Sequence, residues 1–332
     1  MPDRFLNLTG GVAMIVTDLH GDRAAFDRCL AHFQDRYARG EVQRLILLGD
    51  LIHSYGPPDG DASLSMVLDV MQLQADLGPD TVIMLLGNHE MPHIYGVTLA
   101  KGEREFTPRF EHALGEHREA VLSFFRRLPF YARTAAGVLL GHAGPAAEVV
   151  QYAATLRAFD HDALLADADH VLAGVDDLGG IYDQYYALHG VPYPELAFRY
   201  LAAQGERDPR YPHLLRGFLI SQQDRAFQTL WGALFTQNEA GLTGKAYDNV
   251  CRTFLDALSV DAPAPQRMMV SGHIPTRGGH QVVNGYHLRV STAAHANPPR
   301  AGEYLLLDCA RRPVATVEDL LGGLRPLAAD PR

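Results

Sequence analysis

Cysteine is scarce in this 332-residue chain: Cys29, Cys251 and Cys309 are an odd number, far apart, with no C-x-x-C pair. That excludes a disulfide framework and a zinc knuckle, and it suits a reducing cytoplasm. No basic, apolar leader opens the sequence, and no apolar run approaches the ~20 residues of a membrane span, so a cytoplasmic protein without a membrane partner is expected. Positive charge is also short, with 29 Lys plus Arg against 39 Asp plus Glu and a formal net charge of -10. An acidic surface repels a phosphate backbone, so nucleic acid is not an expected partner. A small anionic substrate stays open, because a metal site makes its own local field. Internal repeats and low-complexity blocks are absent, and 47% hydrophobic with 20% charged residues is a globular balance.

What is present begins with three segments of one design. "VAMIVTDLHG" (12–21), "RLILLGDLIH" (44–53) and "TVIMLLGNHE" (81–90) are each a short apolar run ending in polar residues. Such runs suit strands buried on both faces. Between them, Phe26, Leu30, Phe33 and Tyr37 share one helical face ahead of Gly40, and 62–78 has the same spacing. The order β-α-β-α-β predicts an α/β fold with a parallel or mixed sheet under helices. A helical stretch at 116–128 leads to a fourth strand, 137–142. Residues 146–260 have helical patterns rich in Tyr, Gln and Asp, and read as a helical insertion or lid. Strands resume at 267–273, followed by a hairpin around Asn284-Gly285 and strands at 303–308 and 313–318. One domain is expected over 1–322, with 323–332 a loose tail.

In an open α/β sheet, ligands bind beyond the carboxyl ends of the strands. Five predicted strands end in metal-ligand residue types: Asp18 and His20; Asp50; Asn88, His89 and Glu90; His142; His273. Taken singly, each has an ordinary explanation as a cap, a turn residue or a polar strand end. Five coincidences at one end of one sheet do not. Hard oxygen donors mixed with imidazoles suit Mn²⁺, Fe or Zn²⁺ rather than a thiolate-type structural zinc.

The blocks "DLHGD", "GDLIH", "GNHE", "GHAG" and "GHIP" resemble those of the calcineurin-like metallophosphoesterases, in an order most similar to the bacterial phosphoprotein (Ser/Thr) phosphatase branch. The resemblance spans residues 12 to about 308, apart from most of the insertion. It implies a four-layer sandwich of two mixed β-sheets flanked by helices. It also implies hydrolysis of a phosphate ester by water activated between two divalent ions, Mn²⁺ first, with Fe or Zn²⁺ as alternatives. Asp18 and His20 would hold the first ion, Asp50 would bridge, and Asn88, His142 and His273 would complete the second. His89 would protonate the leaving oxygen as general acid. "GHIP" lacks the second His that other branches place in this block, which favours the phosphatase-like branch.

The departures from the pattern fall on substrate binding. Where the family has Asp-Arg after the bridging Asp, this chain has His53-Ser54, and Ala240 stands at the arginine position of an Asn-Asp-Arg-Gly block. Lys245 and Arg277 are candidate replacements for those phosphate-binding arginines, and each reads equally well as a solvated surface charge. His53 could orient His89 or contact phosphate. His295 is placed by the resemblance near the active-site loop, with a surface role expected. The substrate is then a phosphoprotein or a small phosphate ester. A nucleotide or phosphodiester hydrolase is the alternative reading, and a non-catalytic metal-binding module that recognises phosphorylated partners is a third.

Overall fold

Alternation inside the apolar runs decides the architecture. Ala13 and Ile15, Ile46 and Leu48, Ile83 and Leu85 lie two residues apart, as do Val138 and Leu140, Met268 and Val270, Leu288 and Val290, and Leu305 and Leu307. All belong to one buried core cluster. Strand side chains alternate between faces, so these residues line the inner faces of two sheets that share a core. The residues between them, including Met14, Val16, Leu45, Leu47, Val82, Met84, Leu139 and Met269, are buried as well. Both faces are therefore covered, which is why the runs read as continuously apolar.

The computed structural model describes residues 3–310 and 314–328. Eleven strands build the two large sheets: β1 (Phe5–Leu8), β2 (Val12–Val16), β3 (Arg44–Leu47), β4 (Val82–Met84), β5 (Tyr131–Thr134), β6 (Val138–Gly141), β7 (Met268–Ser271), β8 (His280–Asn284), β9 (His287–Val290), β10 (Glu303–Asp308) and β11 (Leu324–Pro326). One sheet has the order β1-β5-β6-β7-β9-β8 and the other β11-β10-β2-β3-β4. Both are mixed: β2, β3 and β4 run parallel, and β10 is antiparallel to β2. The Asn284-Gly285 turn joins the antiparallel pair β8 and β9, as its composition predicts. Helices α1 (Arg23–Ala38) and α2 (Ser63–Leu77) follow β2 and β3, and the Asp22 side chain caps α1 by accepting from the Ala25 N–H at 2.9 Å.

The chain divides into two compact units rather than one domain with an insertion at 146–260. The sheet unit takes residues up to Glu90, then 127–159, then 229 onward, and the second unit takes 91–126 and 160–228. The helices Ala147–Arg157 and Lys245–Leu258, expected in the insertion, pack on each other inside the sheet unit. Their amphipathic patterns are alike whether a helix covers a sheet or other helices, so periodicity did not mark the boundary. The second unit is helical apart from a short hairpin at 100–105. Its core is aromatic: the rings of Tyr182 and Tyr211 lie 4.1 and 5.0 Å from that of Tyr193. Its Arg199, Arg210 and Arg216 pair with Glu105, Asp208 and Asp169.

Two further expectations are corrected. Residues 314–318 form no strand; the Ala315 and Thr316 N–H groups donate to Asp319, which holds a turn ahead of the short helix Glu318–Leu321. Residue 313 lies outside the described residues. The tail is also not loose as far as it is described. β11 adds an antiparallel edge strand to β10, Leu327 N–H donates to the Gly302 carbonyl at 2.8 Å, and His32 Nε2–H donates to the Leu327 carbonyl at 3.2 Å. Leu327 is buried, and residues 329–332 lie outside the described residues. A chain ending at Gly322 is expected to unfold at lower urea concentration than the full chain. Loss of the Leu327 side chain alone costs about 1.5–3 kcal/mol, and an unchanged midpoint would restore the loose tail.

Candidate metal centre

The ends of β2, β3, β4, β6 and β7 meet through backbone contacts that leave little choice of conformation. The N–H groups of Leu19 and His20 both donate to the Asp50 carbonyl, at 3.0 and 2.9 Å, and Gly21 N–H donates to the Leu51 carbonyl at 2.8 Å. Gly272 N–H donates to the His142 carbonyl at 3.0 Å. Gly49 and Gly87 are glycines because their loops touch: a Cβ on Gly49 would lie 2.6 Å from the Gly87 Cα. To turn side chains inward from these ends, the chain adopts left-handed backbone at Asp18, His20, Asp50, His53 and His273, with φ from 41° to 73°. Only two other described non-glycine residues, Ala202 and Asp261, do so. Each such residue carries strain, and the cluster of five coincides with the polar strand ends.

Glu90 fastens the turn that carries Asp50. Its buried carboxylate accepts from the N–H groups of Asp50, Leu51 and Ile52, at 3.0, 2.9 and 3.4 Å. Burial pushes this carboxyl up to about 7 even though the backbone donors favour its anion. Asp50 in turn accepts from His89 N–H at 3.0 Å. Sequence reasoning placed Glu90 at the strand end without giving it this task.

The side chains form three overlapping groups in which the potential ligand atoms lie within 4.8 Å of one another: Asp18, His20 and His295; His20, Asp50 and His89; Asp50, His142 and His273. Asp50 faces both ways, with Oδ2 3.6 Å from His20 Nε2 and Oδ1 3.5 Å from His142 Nε2. Two imidazoles have their tautomers fixed. A carbonyl can only accept, so His142 carries its proton on Nδ1, bonded to the Leu48 carbonyl at 2.8 Å, and His20 on Nδ1, bonded to the Ile52 carbonyl at 3.2 Å. Each is left with a bare Nε2.

At the second group, the bare His142 Nε2 lies 2.7 Å from Asn88 Oδ1 and 3.2 Å from His273 Nδ1, and those two atoms are 3.0 Å apart. Asn88 Oδ1 is an acceptor and His142 Nε2 has no hydrogen, so lone pairs converge there. Bonds of about 2.0–2.2 Å to one cation set neighbouring ligand atoms at such spacings. At the first group, the buried His20 Nε2 and His295 Nδ1 have no hydrogen-bond partner. Burial lowers His20 and His273 to about 3 and holds His142 below its usual value, so these rings are neutral and able to ligate. Burial would raise Asp18, but the imidazoles around it keep it below the usual carboxylate range. Burial, with Glu90 and Asp18 nearby, raises Asp50 well above that range, and a cation is what such a crowded carboxylate lacks. The donor set fits divalent metal.

The expected residues Asp18, His20, Asp50, Asn88, His89, His142 and His273 are therefore brought together. His53 joins them: its Nδ1 lies 2.9 Å from His89 Nδ1 in a buried hydrogen bond. Lys245 and Arg277 are exposed and make no hydrogen bond or ion pair with these groups. His280 serves the sheet, with Nδ1 2.6 Å from Glu303 Oε2. His295, expected on a loop surface, is instead buried with Nδ1 3.2 Å from Asp18 Oδ1. Tyr55 was also missed, and its ring packs edge-on against His20 with centroids 4.7 Å apart. His295 stands five positions beyond the end of its strand, in a loop where periodicity carries no signal.

A family model described as calcineurin-like phosphoesterase matches residues 12–204, more than half of the chain. The chain belongs to the calcineurin-like phosphoesterase family. It is a phosphoric ester hydrolase. None of the curated proteins matches it. Among solved structures, a cold-active protein tyrosine phosphatase is similar with a TM-score of 0.50 at 15% identity, over 93% of this chain and 76% of that one. A protein serine/threonine phosphatase from Saccharomyces cerevisiae is similar with a TM-score of 0.50 at 16% identity, over 99% of this chain and 88% of that one. At such identities the likeness is one of fold. Among the described residues no helix is long and apolar enough to cross a membrane.

Replacing Glu90 by Ala strands three buried N–H groups, each worth ~1–3 kcal/mol. Glu90→Ala is expected to lower the urea-unfolding free energy by at least ~2 kcal/mol, and Glu90→Gln by less. Equal stability of wild type and Glu90→Ala would remove Glu90 from the role of anchor.

Proposed function

We propose that this phosphoesterase works with two divalent cations, held by Asp18, His20 and Asp50 on one side and by Asp50, Asn88, His142 and His273 on the other. The observation that carries the reading is Asp50, whose two oxygens face two separate nitrogen-rich groups. Bound there, the cations would supply an activated water and offset charge developing on the phosphoryl oxygens. The metal is Mn²⁺ in this reading, with Fe or Zn²⁺ admitted by the same donors. Three free, buried cysteines suit a reducing compartment such as the cytoplasm.

The remaining residues manage the proton. His89 Nε2 lies on the Asp50 side, 3.9 Å from Oδ2, and its Nδ1 is engaged by His53. When His53 donates from Nδ1, His89 must accept there, and its own proton sits on Nε2. To act as the acid, His89 takes up a second proton and donates from Nδ1 to a neutral His53; its Nε2 proton then passes to the leaving oxygen and the ring is left neutral. His53 thus orients the acid but, being neutral in that arrangement, does not steady an imidazolium as a carboxylate would.

The substrate class we favour is a phosphomonoester, as in a Ser/Thr protein phosphatase. The second reading, a nucleotide or phosphodiester, is favoured by one observation: the clamp positions hold His53, Ser54 and Ala240, and Lys245 and Arg277 are exposed. Arg binds phosphate in charge-assisted pairs at ~1.5–3 kcal/mol each, a difference that a dianionic monoester feels most. Hydrolysis of p-nitrophenyl phosphate against its bis-p-nitrophenyl diester by Mn²⁺-loaded protein separates the two. Faster monoester turnover is expected; faster diester turnover would move the substrate class. Asp50→Asn is expected to bind less metal and to lose turnover at least ~100-fold; a fully active variant would end the two-ion reading. His89→Ala is expected to slow alkyl esters, which have poor leaving groups, far more than aryl esters. An equal loss for both would take the acid role from His89.

A further inference from the structure

We infer that His295 is a fourth protein ligand of the first cation, joining Asp18, His20 and Asp50 through Nδ1. The inference rests on the two-cation reading above.

Three observations carry it. First, the imidazole is buried beside the other donors: Nδ1 is 3.2 Å from Asp18 Oδ1, and its ring centroid is 4.9 Å from that of His20. That spacing matches the 2.7–3.2 Å among the atoms of the second group. Second, despite this closeness Nδ1 makes no aligned hydrogen bond, and His20 Nε2 makes none either. Two buried ring nitrogens next to a carboxylate, both unsatisfied, are costly unless something else binds them. A cation between them would satisfy both.

Third, the loop that carries His295 is built against the strand that carries Asp18. Thr17 and Thr292 exchange hydrogen bonds, Thr17 N–H to Thr292 Oγ1 at 2.9 Å and Thr292 N–H to Thr17 Oγ1 at 3.2 Å. Thr17 Oγ1–H donates to the Val290 carbonyl at 3.0 Å. Ala294 N–H donates to the Asp18 carbonyl at 3.2 Å, and Thr276 N–H to the His295 carbonyl at 2.9 Å. His295 is thus held on both sides by main-chain bonds, which is preorganisation of the kind a metal ligand needs. The ligand that "GHIP" lacks is supplied from a different loop. Each cation then has two imidazoles, and the first site becomes softer, favouring Zn²⁺ or Fe²⁺ over Mn²⁺ more than Asp18, His20 and Asp50 alone would.

The test is Zn²⁺ binding by chelator competition on metal-free wild type and His295→Ala, with the anomalous peaks of a Zn²⁺-loaded wild-type crystal. Wild type is expected to bind two ions. The variant is expected to hold one of them at least ~10-fold more weakly, with the other unchanged. One peak is expected about 2.0–2.1 Å from His295 Nδ1. If wild type binds two ions and the variant matches it, or if neither peak lies within bonding distance of His295, the ligand role is overturned while the two-cation reading stands. If wild type itself binds no pair of ions, both fall. The crystal decides the matter should the variant not fold.

Discussion

Five strand ends must turn charged or lone-pair-bearing side chains toward one small volume, and at three of them the chain does so through unfavourable left-handed backbone. Strain of ~1–3 kcal/mol at each of Asp18, His20, Asp50, His53 and His273 persists only if the surroundings over-determine it. Here they do. The carbonyls of Asp50, Leu51 and His142 accept from the neighbouring strand ends, and the Glu90 carboxylate gathers the three N–H groups that follow the bend at Gly49. The two-faced core below, with both surfaces of each strand covered, is what makes those ends rigid enough to hold the arrangement.

The same arrangement explains the electrostatics. Burial strips the imidazoles of protons and crowds Asp50 against Asp18 and Glu90. Neutral nitrogens and an anion looking for a counter-charge are poor company for one another but a good coordination sphere. Fold and chemistry are coupled through that mismatch: the strain that aims the side chains also gathers a donor set that fits divalent metal.

The parts of the fold written in local sequence were legible. Buried strands show as unbroken apolar runs, Asn284-Gly285 shows as a hairpin, and ligand types recur where the runs stop. The candidate ligands Asp18, Asp50, Asn88, His142 and His273 could be named because each closes such a run. The rest depends on relations that leave no local trace. The edge strand Leu324–Pro326 is short and carries Pro, so its pairing with Glu303–Asp308 could not be read from periodicity. The helical unit leaves the sheet unit twice, at 91 and 160, and amphipathic helices look the same on either side of those crossings. His295 sits in a loop whose place is fixed by Thr17 and Thr292, residues 275 positions apart.

That last separation has a consequence for the birth of the molecule. β2, with Asp18 at its end, is among the first elements synthesised, yet β6 finds its parallel neighbour only when β7 has been made, well over a hundred residues later. Chain contacts of this length form slowly because loop closure precedes any return from pairing. Until His273 and the Thr292 loop have arrived, the early blocks "DLHGD" and "GNHE" cannot form the complete cradle. In the two-cation reading, cation capture would therefore wait for these later segments, and a metal at these five strand ends would mark a chain whose late segments have reached their places.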